Sequence, residues 1–190
     1  MMAQPDSRFI RRILLLCCHC VRNIAYYRMG YADEQGTGEL KQSTQFGATV
    51  NGNMIDIAVL EWCKLFADKK AHHHWKCFVR DDADQKRFLG ALLGNVGLSK
   101  SNWMRYLDEM RVYRDKFVAH LDTKSVMNIP RMQVALESTL FLYQHVRSNV
   151  PQDFLDSPHC MHLPHDLNAY YSACCDEGRE AFAAANKAAI

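Results

Sequence analysis

From Phe9 to Ile24 the apolar residues fall at Phe9, Ile10, Ile13, Leu14, Cys17, Val21 and Ile24, intervals of three and four that make one buried stripe only on an α-helix. With Asp6 or Ser7 as its cap and Gly30 as its stop, this spacing predicts a helix over residues 7–29. The same period recurs downstream. A second helix is expected from about 43 to 66, with Phe46, Val50, Met54, Ile57, Ala58, Trp62 and Leu65 inward. A shorter one over 82–96 turns Phe88, Leu89, Leu92 and Leu93 to the core. Ser99 or Ser101 caps another over 101–121, whose seam is Trp103, Leu107, Met110, Phe117 and Leu121. Ile129-Pro130 opens the next, through about Asn149, with Met132, Leu136, Leu140 and Tyr143 inward. No stretch alternates long enough to make a strand, and only five prolines interrupt the chain. The expected fold is all-α, an up-and-down bundle of about five to six helices.

A chain of 190 residues is the size of one domain and long enough to bury a core. Residues 1–150 are expected to form the bundle. Residues 151–190 are expected to add an irregular connector rich in proline and histidine, then an Ala-rich helix near 166–188 packed on the same domain or on a partner. The glycine-rich, polar residues 30–44 have the composition of a turn or mobile loop.

A net charge of +2 disfavours binding nucleic acid by bulk electrostatics, so any RNA contact requires a local patch. Arg105, Arg111, Arg114 and Lys116, recurring along one helix, are candidates for it. Arg11-Arg12 precede an apolar run of about nine residues with no small-residue cleavage site, and the amphipathic pattern continues beyond it. The run falls short of the roughly 20 residues of a membrane span. The expected setting is therefore cytoplasmic, with eight reduced cysteines. Cys17-Cys18-His19-Cys20 reads as core cysteine on an apolar helix, and Arg12 and His19 bracket the apolar run Ile13-Leu14-Leu15-Leu16-Cys17-Cys18, which makes that arginine–histidine pair an accident of spacing. Cys160, His162 and His165 have ligand chemistry on a loop but need a fourth group to hold a metal. Of His72-His73-His74-Trp75, one histidine with Trp75 could line a cleft, although packing is the commoner role.

The most chemically loaded block is Tyr113-Arg114-Asp115-Lys116-Phe117-Val118-Ala119-His120-Leu121-Asp122. Arginine presents a planar fork of donors to phosphate oxygens, and histidine both takes and gives a proton near neutrality. On a helix, residues six apart are about 9 Å apart along the axis and roughly 120° around it, so one copy of Arg114 and His120 makes half a site.

An arginine followed by a polar residue, with a histidine four to six residues on along a late helix, resembles the HEPN superfamily of nucleotide-binding and RNase domains. The wider chain is similar to its abortive-infection AbiU-type branch through Glu61-Trp62-Cys63-Lys64-Leu65-Phe66, His73-His74-Trp75 and the Arg114-Asp115-Lys116 block, over about residues 8–150. The resemblance implies a homodimer with Arg114 and His120 from both copies in one cleft. It also implies a toxin-like or antiviral endoribonuclease that acts on RNA without metal or other cofactor, with a cognate antitoxin as a possible partner and no membrane. In that chemistry His120 removes the ribose 2′-OH proton, and the arginines stabilise the pentacoordinate phosphate. Asp115 would orient Arg114 or shape the cleft, Asp122 would pair with a nearby basic side chain, Lys116 would add charge, and Tyr113 would stack a base or donate to phosphate. The alternative is a catalytically silent HEPN module that binds nucleotides or a protein.

Overall fold

The structure is a computed structural model that describes residues 7–30, 44–119, 128–158 and 160–188. Six helices carry the architecture: α1 (Ser7–Gly30), α2 (Gln45–Trp62), α4 (Asp82–Asn95), α5 (Lys100–Tyr113), α6 (Met132–Ser148) and α8 (Leu167–Ala188). Two single-turn helices join them, α3 (Trp75–Phe78) and α7 (Gln152–Leu155). The fold is an all-α bundle, with no strand among the described residues. No helix there is long and apolar enough to cross a membrane.

α1 is the centre of the bundle and packs against α2, α6 and α8. Its stripe of Ile13, Leu14, Cys17, Val21 and Ile24 is inaccessible to solvent, and Cys18 and Cys20 are buried with it. All eight cysteines are free thiols. A second focus of packing lies between α2 and α5, where Trp62 meets Phe66, Trp103 and Tyr106 with ring centroids 5.2–5.7 Å apart. Trp62 is wholly buried and satisfies its indole N–H by donating to Ser138 Oγ on α6 at 2.9 Å. The final helix packs on α1, where Tyr26 donates to Glu177 at 2.6 Å and Arg28 donates to Tyr171 Oη at 2.8 Å.

Local chemistry sets the element ends. Thr44, Asp81 and Ser99 cap α2, α4 and α5 through side-chain oxygens. α4 stops in a left-handed glycine turn, with Gly97 at φ 64° and Leu98 N–H donating to the Leu93 carbonyl at 3.0 Å.

The second helix differs from expectation in its buried face. Phe46 is 80% exposed and Ile57 41% exposed, whereas Gly47, Asn51, Ile55, Ala58, Val59 and Trp62 are buried. The face that meets the rest of the bundle opens with small and polar residues because the backbones come close there. A Cβ on Gly30 would stand 2.7 Å from Asn51 Oδ1 and 2.5 Å from Phe182 Cζ. The sixth helix begins at Met132 and not at Ile129-Pro130. Arg131 stays extended, with its carbonyl accepting from Tyr106 Oη at 2.8 Å, so the helix can start only beyond it. Residues 152–155 form a helical turn inside the expected irregular connector. The expected loop at 30–44 lies, apart from its two ends, outside the described residues.

Candidate functional site

Two π-helical segments meet where α2 and α5 end. α2 continues as Cys63–Ala67, closed by Asp68 N–H donating to the Cys63 carbonyl at 2.8 Å, and α5 continues as Arg114–Ala119. Such widened turns often occur at functional sites, where they shift side chains out of α-helical register. The expected helix over 101–121 is thus α-helical only to Tyr113. His120, Leu121 and Asp122 lie outside the described residues.

Arg111 and Arg114, one α-turn apart, join the two segments. Arg111 donates to the Ala67 carbonyl from Nε at 3.2 Å and Nη2 at 2.7 Å, and from Nη1 to Asp108 at 2.8 Å. A cation there also suits the negative end of the Cys63–Ala67 turn. Arg114 donates from Nε to Asp115 at 2.8 Å and from Nη1 to Asp68. Its side chain is only 18% exposed. The bond to Asp115 raises its pKa, burial opposes the rise, and the bond to Asp68 adds to it, so the guanidinium is permanently charged. Two of its five N–H donors are engaged in these contacts. Beneath it, burial pushes the Cys63 thiol up to about 12 despite Arg114 nearby, so that thiol is no nucleophile.

Tyr113 is 1% exposed and donates to Asp56 on α2 at 2.9 Å. Burial, and then the bond to Asp56, raises its pKa; burial likewise raises that of Asp56, and the tyrosine bond offsets part of that rise. Its hydroxyl joins α2 to α5, and its ring is not available to stack a base. Asp115 is exposed, and Lys116 is half-buried and engaged with a partner.

The expected basic patch along α5 is interleaved with acids. Arg105 lies 3.9 Å from Glu109, Arg111 pairs with Asp108, and Arg114 is shared by two aspartates. Asp68 and Asp56 were not anticipated from the sequence; each meets its partner across 46 or 57 residues, and no local pattern marks either.

The histidine block divides by depth. His74 is buried, with Nε2 donating to the Phe66 carbonyl at 3.0 Å and Nδ1 accepting from Lys76 N–H at 3.3 Å, which only the neutral Nε2-protonated tautomer satisfies. Burial holds its pKa down to about 4 although the Phe66 carbonyl opposes the shift. Trp75 stacks on Phe88 with ring centroids 4.7 Å apart, so it packs in the core. On the connector, Cys160 is buried while His162 and His165 face solvent, and His165 Nδ1 accepts from Arg147 at 3.1 Å. No three His, Cys, Asp or Glu side chains among the described residues converge on a metal position. His19 is half-buried, its pKa lowered by burial and then by Arg22. No family model, curated protein or solved structure matches the chain.

Proposed function

We propose that the protein is a metal-independent endoribonuclease of the HEPN type, toxin-like or abortive-infection-like, whose site is completed by Arg114 and His120 from two copies. The observation that supports this reading is the mounting of Arg114. It is mostly buried, permanently charged and held by Asp68 and Asp115 where α5 passes into a π-helical turn. A guanidinium fixed in this way meets developing phosphate charge without first being ordered. His120 takes the proton of the ribose 2′-OH, the oxygen attacks phosphorus, and the 5′ oxygen departs with a proton from the second histidine or from water. A 2′,3′-cyclic phosphate remains. Because the attacking group belongs to the substrate, DNA is not cut. A homodimer in the cytoplasm, with RNA as substrate and a cognate antitoxin as a further partner, accompanies this reading.

A second reading has its own observation. One arginine against two carboxylates leaves the Asp68–Arg114–Asp115 cluster with a formal charge of −1, which opposes a phosphate at Arg114 and suits a catalytically silent module that binds a protein, or a nucleotide elsewhere on its surface. Incubating total RNA with the wild type and with His120→Ala in EDTA decides between them. Cyclic-phosphate ends from the wild type alone support the nuclease; intact RNA with both, from stable dimers, supports the silent module.

A further inference from the structure

A cleft of about 960 Å³ opens where the first turns of α1 face the 68–74 loop and α7. Arg8, Arg11, Arg12, Phe9, His73 and Phe154 line it. Three of these six are arginines, and all three are exposed. Phe9 and His73 lie in near-parallel planes, 15° apart, with ring centroids 6.1 Å from each other.

The helix dipole does not favour this arrangement, and Arg8 and Arg11 are each engaged with a further partner. The N-terminal end of a helix carries partial positive charge, so carboxylates favour it and cations oppose it. The first turn of α1 holds no acidic residue, while Arg8, Arg11 and Arg12 occupy its first two turns. Guanidinium charge and helix dipole therefore add. His73 registers the result: burial lowers its pKa, and then Arg12, His72 and Lys64 lower it further, against Glu61. A concentrated positive site beside aromatic rings has the composition that binds a single-stranded nucleic acid, with cations on the backbone and rings under the bases. The volume falls within the roughly 300–1,000 Å³ of ligand clefts.

The cleft is also linked to the candidate site. Asp68, bonded to Arg114, and His73, against Phe9, are five residues apart on one loop. Five residues span at most about 18 Å. This loop is folded tighter than that, with Ala71 N–H donating to the Asp68 carbonyl at 2.8 Å and His74 N–H to the Ala71 carbonyl at 3.1 Å.

We propose that this cleft holds a single-stranded RNA segment flanking the bond presented to Arg114, with phosphates on Arg8, Arg11 and Arg12 and a base against Phe9. The inference rests on the endoribonuclease reading for its ligand, and its test is independent of cutting.

The probe is a fluorescein-labelled octanucleotide, 2′-O-methylated throughout so that no hydroxyl can attack, followed by anisotropy between about 50 and 200 mM salt. Three phosphate contacts on a single strand give a log–log salt slope of about −2, at roughly 0.7 each. The Arg11→Ala/Arg12→Ala double variant flattens the slope to about −0.7 and binds at least roughly tenfold more weakly. Arg11→Lys/Arg12→Lys keeps the slope, which shows that lost charge and not lost fold is responsible. Phe9→Leu weakens binding about fivefold or more at unchanged slope. Wild-type affinity and slope in the double alanine variant overturn the proposal, as do an unbound octanucleotide or a free mononucleotide that competes as well as the strand. Binding that depends on these arginines in a protein that cuts no RNA keeps the cleft and removes the nuclease. Cutting that depends on His120 with no arginine dependence of binding does the reverse.

Discussion

Arg114, where α5 passes into its π-helical turn, and Asp68 beyond α2 are 46 residues apart in sequence and form an ion pair in which the arginine side chain is 18% exposed and the aspartate 33%. Asp115 holds the same guanidinium from the neighbouring position but is 58% exposed. The two carboxylates therefore differ in how readily they yield to a phosphate.

Asp68 orients and Asp115 competes. Asp115→Asn is expected to strengthen phosphate and RNA binding severalfold while leaving the arginine in place. Asp68→Asn is expected to cost about 1 kcal/mol of stability and to slow cutting by tenfold or more. Phosphate titration and single-turnover cleavage of both variants check this; equal effects of the two would show that the aspartates are interchangeable.

Tyr113→Phe removes the donor to Asp56 and leaves a half-buried carboxylate short of a partner, a loss of about 1–3 kcal/mol. Asp56 already titrates above the ordinary carboxylate value of 3.8, and without the tyrosine it rises further. A raised folded-state pKa gives stability that is present below the unfolded value and lost as pH rises through the folded one. Urea midpoints taken upward from pH 4 should therefore fall away from the wild-type curve.

His74 has the opposite sign. Its pKa drops from 6.5 to about 4 on folding, so the unfolded chain binds the extra proton in that window and stability is lost as pH falls through it. The loss is about 3 kcal/mol. His19, His73 and His145 are shifted in the same direction. His74→Gln should be less stable at pH 7 yet lose less between pH 6.5 and 4, by denaturant titration at both ends. An unchanged acid slope would assign that limb to the other three.

Gly30→Ala drives a methyl to 2.5 Å from Phe182 Cζ, closer than real contacts allow, and should cost about 1–3 kcal/mol. Adding Phe182→Leu should return part of this. Thermal midpoints of the single and double variants measure the coupling between α1 and α8.

The first helix was legible because its stripe consists of large apolar residues, and each of Ile10, Ile13, Leu14, Cys17, Val21 and Ile24 is buried. α2 was legible in extent but not in rotation. Counting hydrophobicity selects Phe46 and Ile57, whereas a close helix approach selects Gly47 and Asn51, and nothing local reports how near the next backbone lies. The π-helical turns at Cys63–Ala67 and Arg114–Ala119 leave no period of their own over five or six residues. At the candidate site the arginine could be read from its neighbours in sequence, but the less exposed of its two anchors could not, because Asp68 reaches it only through the fold.

Trp62, Trp75 and Trp103 are the chain's three tryptophans, and they are 0%, 4% and 3% exposed. All of its indole emission thus originates in the interior, from the junction of α2 and α5 and from the contact of α3 with α4. A red shift in intrinsic fluorescence consequently reports water reaching the core, whereas a ligand that settles on the surface and leaves the packing intact leaves the emission wavelength where it was.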